Sequence, residues 1–379
     1  MRVHKVEALV GGSIGLLTAV AAAGLAQQRR SVDRDRAQVT PKSAADFGAL
    51  PIDRQGIVHT EDGVDLHYEE VGPLDAGLTV VFVHGFALSL GTFHFQRLAL
   101  REEFGDRVRM VFYDQRSHGR SAHSSSAGCT LEQTGRDLYS VLDQRVPTGP
   151  VVLVGHSMGG MTVMALADQH PELFSGTTRT SDDIGPTGDP ARVRSVVLIN
   201  TSSGELKTIT LGLPNALARL RGPVLPVVLR RAAKSAALVE RGRELGKDLA
   251  WLMTKRLSFA SPDVDPAVVA YSTNLIAATP VTVVADFYPT LMAHDGQLGL
   301  RNLRHCPVLV IGSDHDALTP LSHSEQIARA LPGATLVVAA DSGHLLVLEH
   351  PDLVNKPLIA VVHSALDGAA SPVGSARTR

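Results

Sequence analysis

Ser157 stands in the stretch "GHSMGG" (155–160), between the apolar run "PVVLV" and the apolar run "MTVMALA". A serine hydroxyl is a poor nucleophile at neutral pH and needs a base, which in turn needs an acid to orient it. Two later segments carry such groups. "GSDHDALTP" (312–320) offers Asp314 and Asp316, and "DSGHLLVLEHP" (341–351) offers His344, with His350 and His315 nearby. Both aspartates can ionise, so their spacing alone leaves the acid open. A serine of this kind forms an acyl-enzyme from an ester, thioester or amide and releases it with water.

Such chemistry needs a rigid frame. "PVVLVGHS" (150–157) reads as a buried strand and the residues from about Met158 as a helix, which leaves Ser157 in the turn between them. That turn sits at the carboxyl edge of the sheet, where open α/β sheets place their ligands. Gly155 and Gly159 let strand and helix approach around a sharp bend, and the helix start aims free N–H groups at the spot where an oxyanion would form. This is the GxSxG nucleophile elbow.

Other short runs of Val, Leu and Ile repeat the buried-strand pattern: 78–85, 108–115, 194–201, 306–313 and 334–341. They lack the alternation of half-exposed strands, so each is read as covered on both faces. A hairpin is expected first, around "EDG" (61–63), and helices over 130–145 and 322–331. Strand and helix in alternation predict a mostly parallel sheet wrapped by helices. Two segments break the rhythm. Residues 175–191 are rich in Gly, Pro, Ser and Thr and read as a surface loop, and the stretch from about 204 to 304 reads as helices interrupted by prolines such as Pro266 and Pro280.

These motifs together resemble the α/β-hydrolases of the lipase and esterase type, over about residues 55–365. The matching motifs are "HGF" (84–86), "DQRSHGRS" (114–121), "GHSMGG" and the two later loops, in the order Ser, Asp, His. The resemblance implies an α/β-hydrolase fold, a mostly parallel central sheet with helices on both faces and a helical cap inserted after the sixth strand. Residues 51–204 and 305–366 would be the core, 205–304 the cap or lid over the pocket, and 367–379 a disordered tail. It makes Ser157 the nucleophile, His344 the general base and Asp316 the orienting acid, because the family has its acid four places before the proline that is here Pro320; Asp314 is the alternative. The oxyanion hole would be the backbone N–H groups of Phe86 and Met158.

His84 is expected to shape its loop rather than to move protons, and "DQRSHGRS" to brace the sheet edge. Ser117 stands where the family usually has glycine, a swap that touches one backbone angle and no catalytic group. The implied reaction is hydrolysis of a carboxylic ester, with an apolar, lipid-derived acyl group compatible with cap segments such as "LPNALARL". The same triad serves carbon–carbon bond hydrolysis, cofactor-free haloperoxidase-like perhydrolysis and acyl transfer to alcohols. Relatives that use Asp at the elbow, the dehalogenases and epoxide hydrolases, are set aside by Ser157. Non-catalytic binding modules of this fold usually lack a triad member, and here all three are present. No metal or organic cofactor is implied.

Composition narrows the partners. Lys and Arg number 36 against 38 Asp and Glu, a formal charge of −2, so the cationic surplus that grips nucleic acid is missing. Cys129 and Cys306 lie in no metal-ligand or disulfide spacing and read as small core residues. Residues 8–26 are uncharged, rich in Ala and Gly, and about long enough to cross a bilayer. They are read as a membrane anchor, its side left open, with a cleaved export signal as the alternative. Arg29, Arg30, Arg34 and Arg36 directly after the run favour the anchor. The polar residues 27–50 then form a linker.

Overall fold

A computed structural model of the 379-residue chain describes residues 50–175, 191–208, 251–261 and 263–370, together with 33–34, 37–38 and 47. The expected anchor at 8–26, the loop at 176–190, most of the first half of the insertion and residues 371–379 lie outside the described residues.

Eight strands form one sheet in the order β1-β2-β4-β3-β5-β6-β7-β8. They are β1 (Arg54–His59), β2 (Asp65–Val71), β3 (Leu78–Val83), β4 (Val108–Tyr113), β5 (Val151–His156), β6 (Val193–Ile199), β7 (Val308–Ser313) and β8 (Thr335–Ala339). The first two make the antiparallel hairpin expected around the "EDG" turn, and β2 joins β4 antiparallel. From β4 onward every pairing is parallel, as strands linked through helices require.

Side chains alternate across a strand, and here each face finds its own helices. Val80, Phe82, Val152, Val154, Val197 and Ile199 face one layer, with Leu100 of α1 (His94–Phe104) and Leu358 of α8 (Pro351–Ala370). Val81, Val83, Leu153, Val196, Leu198 and Val310 face the other. That second layer holds α2 (Leu131–Arg145), α3 (Met158–Gln169), α6 (Gln297–Leu303) and α7 (Leu321–Ala330). Burial on both faces is why these strands are runs of Val and Leu. The edge strand β8 departs from that expectation: Val338 is half exposed, and among the described residues no strand pairs with β8 beyond β7.

Within the insertion, Pro266 and Pro280 mark helix starts, as prolines do where the first N–H groups need no partner. Asp265 caps α4 (Pro266–Ala277) by accepting from Ala267 N at 2.8 Å, and α5 (Val281–Ala293) follows Pro280. The sequence assigns 297–303 to the insertion, yet α6 buries Leu300 and Leu303 in the core layer beside α3. The final helix likewise runs on to Ala370, past the expected core limit at 366. Among the described residues no single helix is long and apolar enough to cross a membrane.

Candidate active site

The bend after β5 is as tight as the glycines suggest. A Cβ on Gly159 would lie 1.9 Å from the Val83 carbonyl oxygen, and one on Gly155 2.7 Å from the Gly159 backbone. Only glycine fits between strand and helix at these points. Ser157 itself has φ +53, a left-handed conformation that costs an L-residue energy and is held by its surroundings. Its N–H donates to Ile199 O at 3.0 Å, and the Thr201 hydroxyl donates to its carbonyl at 2.6 Å.

Three side chains converge from three loops. His344 Nε2 lies 3.0 Å from Ser157 Oγ, and His344 Nδ1 lies 2.7 Å from Asp316 Oδ2. Asp316 and His344 are both buried, while Ser157 keeps partial access. The carboxylate is fixed from behind: Asp316 Oδ1 accepts from Leu318 N and Thr319 N, each at 2.8 Å. Asp314 points elsewhere. It bonds its neighbour His315 at 2.7 Å on the surface, so of the two aspartates only Asp316 reaches the imidazole. His315 is exposed and His350 sits at the turn before α8, both outside the relay. Asp314, His315 and Asp341 bring ligand atoms within 4.8 Å of one another, but all three are exposed and the first two already bond each other.

Beside the serine, the "HGF" loop comes so near that a Cβ on Gly85 would lie 3.1 Å from Ser157 Cβ. Met158 opens α3, where the first N–H groups have no partner within the helix. Neither Phe86 N–H nor Met158 N–H makes a hydrogen bond among the described residues. An apolar cluster covers this side: Met158, Met161, Leu206, Val283 and Phe287, with Phe86 against it.

The remaining histidines of these motifs are neutral braces. His84 Nε2 accepts from Gln115 N at 2.9 Å, which leaves the proton on Nδ1 to donate to Gly85 O at 2.8 Å. Burial pushes its pKa down to about 4. His118 donates from Nδ1 to Arg116 O at 2.8 Å, and burial pushes it down to about 3.

"DQRSHGRS" is a brace as well. Asp114 accepts from Leu90 N and Arg120 N, each at 2.8 Å, tying the loop after β4 to the loop after β3. Arg116, with no exposed surface, forks onto Asp137 with two bonds of 2.6 Å and onto Asp62 at 2.9 and 3.0 Å. Ser117 adopts φ +65, the region that favours glycine, and its Oγ accepts from Ser124 N at 2.9 Å. Replacing Arg116 by Met should leave Asp137 buried without its cation and cost about 3–5 kcal/mol. Urea unfolding measures that loss, and the folded fraction should keep its reactive serine.

Two positioning groups have no role assigned from the sequence: Asn200 lies outside the motifs, and His156 lies within "GHSMGG". Asn200, after β6, donates from Nδ2 to Gly343 O and His344 O at 3.0 Å each, and its Oδ1 accepts from Ser313 N at 2.9 Å. His156 donates from Nε2 to the same His344 carbonyl at 2.9 Å, and burial pushes its pKa down to about 3. Together they clamp the His344 loop to the start of the Asp316 loop. The available signal is the polar run "NTSS" (200–203) directly after an apolar strand, buried throughout.

The model of the alpha/beta hydrolase fold family matches residues 79–351, which span every motif described above. The chain belongs to this family. Among curated relatives, a putative carbamate hydrolase RutD of Caulobacter sp. (strain K31) is 27% identical over 81% of this chain and 98% of its own. A non-heme chloroperoxidase of Streptomyces lividans is 25% identical over 82% of this chain and 100% of its own. Among solved structures, a thermophilic esterase from Thermogutta terrifontis superposes with a TM-score of 0.59 at 25% identity, covering 82% of this chain and 99% of that one. These relatives differ in the reactions they are named for.

Proposed function

We propose that the protein is a serine hydrolase that cleaves carboxylic esters through an acyl-enzyme. The observation that carries this reading is the continuous relay Ser157 Oγ, His344, Asp316 at 3.0 and 2.7 Å. His344 Nδ1–H donates a hydrogen bond to Asp316, which keeps the proton on Nδ1, so the Nε2 lone pair faces the serine hydroxyl. As Ser157 Oγ attacks the carbonyl carbon, His344 takes its proton and then delivers it to the leaving alkoxide. The N–H groups of Phe86 and Met158 receive the negative charge that forms on the carbonyl oxygen. A water activated by His344 then releases the acid.

Phe86, partly exposed beside the serine and packed on the buried Met158, Met161 and Phe287 cluster, favours an apolar acyl group. A lipid-derived ester fits that surface and fits an anchor at residues 8–26 that keeps the chain on a membrane. Fractionation of cells expressing the whole chain, against one lacking residues 1–30, should move the protein from the membrane pellet to the supernatant.

Labelling with a fluorophosphonate probe tests the serine directly. Wild-type protein should react at one site, and Ser157→Ala should not react. A panel of p-nitrophenyl esters of increasing chain length then reads the acyl preference. Labelling without turnover of any ester would redirect the same triad to another acyl substrate, and absence of labelling would end the serine hydrolase reading.

A further inference from the structure

The sheet edge opposite Ser157, where the parallel strands begin, holds a cavity of about 420 Å³. Thr79 at the start of β3, Arg109 on β4, Arg145 at the end of α2 and Thr148 in the turn before β5 line it, with Asp75 at its rim. Behind that wall, Glu70 has no exposed surface and receives three guanidinium groups. Arg54 Nε donates at 2.8 Å, Arg109 Nη2 at 2.7 Å and Arg145 Nε at 2.8 Å.

One carboxylate therefore faces three cations. Asp75 is the one acid among the lining residues, is exposed, and still leaves a positive surplus. Arg109 is only 4% exposed, and its buried Nε has no hydrogen-bond acceptor. Like charges held this close repel most strongly where water is scarce, and a guanidinium fork matches the oxygens of a carboxylate or phosphate.

From this we infer a second binding site: the cavity takes a small oxyanion, a carboxylate or phosphate group, on Arg109 and Arg145 with the Thr79 hydroxyl beside them. The anion completes the charge balance that Glu70 begins and ties the β1–β2 hairpin, β4 and α2 together. It lies away from the Ser157 relay and is independent of the ester hydrolase reading. Binding to the folded chain alone raises its stability by mass action.

The test is the thermal midpoint of the whole chain at pH 8 in inorganic phosphate, succinate or chloride at matched ionic strength. Phosphate or succinate should raise the midpoint saturably and chloride should not; whichever of the two is stronger identifies the source of the oxyanion. Arg145→Gln should weaken the apparent Kd at least tenfold. Asp75→Asn, an exposed change at the rim, should tighten it severalfold. The inference falls if neither oxyanion gives a saturable rise, or if Asp75→Asn and any folded Arg145→Gln protein bind as wild type does.

Discussion

Ser157→Ala should lower kcat on a p-nitrophenyl ester by about 10⁶-fold, and Asp316→Asn by about 10⁴-fold. Asp314→Asn should stay within about twofold of wild type: its Oδ1 bonds the exposed His315 and accepts from Ser342 N at 3.3 Å, an asparagine oxygen can still accept there, and neither contact reaches the relay side chains. The size of the Asp316 effect follows from how the carboxylate is held. Its Oδ1 accepts from two backbone N–H groups, Leu318 and Thr319, so an asparagine there keeps its oxygen on that side and turns its amide nitrogen toward His344. A donor facing Nδ1 forces the imidazole proton onto Nε2, which can then no longer accept from Ser157. The fold should survive, because only one oxygen becomes a nitrogen. Unfolding midpoints measured beside kcat separate the two effects. If Asp314→Asn lost more activity than Asp316→Asn, the assignment of the acid would be wrong.

Much of this architecture is legible in the sequence because the physics behind it is local. A strand covered on both faces has to be a run of Val, Leu and Ile, and β3 to β7 are such runs. The elbow is equally local: glycines two places either side of Ser157 are needed wherever strand and helix meet at a 1.9 Å clearance. The acid is harder, because Asp314 and Asp316 differ only in which way the loop turns after β7. Burial decides between them, and burial belongs to the fold.

Asn200 and His156 are harder still. Both act on the His344 carbonyl, across 144 and 188 residues of sequence, and no pattern within either segment announces that contact. The same holds for α6. Its apolar residues suit an insertion or a core layer equally well, and only the neighbouring α3 shows that they join the core.

Acidification should destabilise the protein well before Asp62 and Glu69, the carboxylates held lowest, protonate. His84, His118 and His156 have pKa values pushed down by burial to about 4, 3 and 3, whereas an unfolded histidine titrates near 6.5. Below pH 6.5 these three sites therefore bind up to three protons in the unfolded chain that they refuse in the folded chain, and His294 and His323, also pushed down by burial, act in the same direction. Stability then rises with pH across that window and falls as pH drops toward 4, by up to about 4 kcal/mol per pH unit. Between pH 7 and pH 5 the loss from these three sites amounts to roughly 6 kcal/mol, comparable with the whole stability of many domains. Two carboxylates act lower down: burial raises Glu69, but His67, Arg97 and Arg120 outweigh it, while Arg116 holds Asp62 down, and both end at about 2. Their contribution is lost only below the ordinary carboxylate range. Burial raises Asp114 and Asp137 instead, so those two protonate first in the folded chain and oppose the histidine slope. Urea unfolding at intervals from pH 8 to pH 5 reads the slope. It should be near zero at pH 8 and steep below pH 6, and His118→Gln should reduce the steep part by about a third, whatever it does to stability at pH 8. A flat profile down to pH 5, or a slope untouched by that substitution, would mean that these histidines take up protons in the folded state, against the buried environments that hold them neutral.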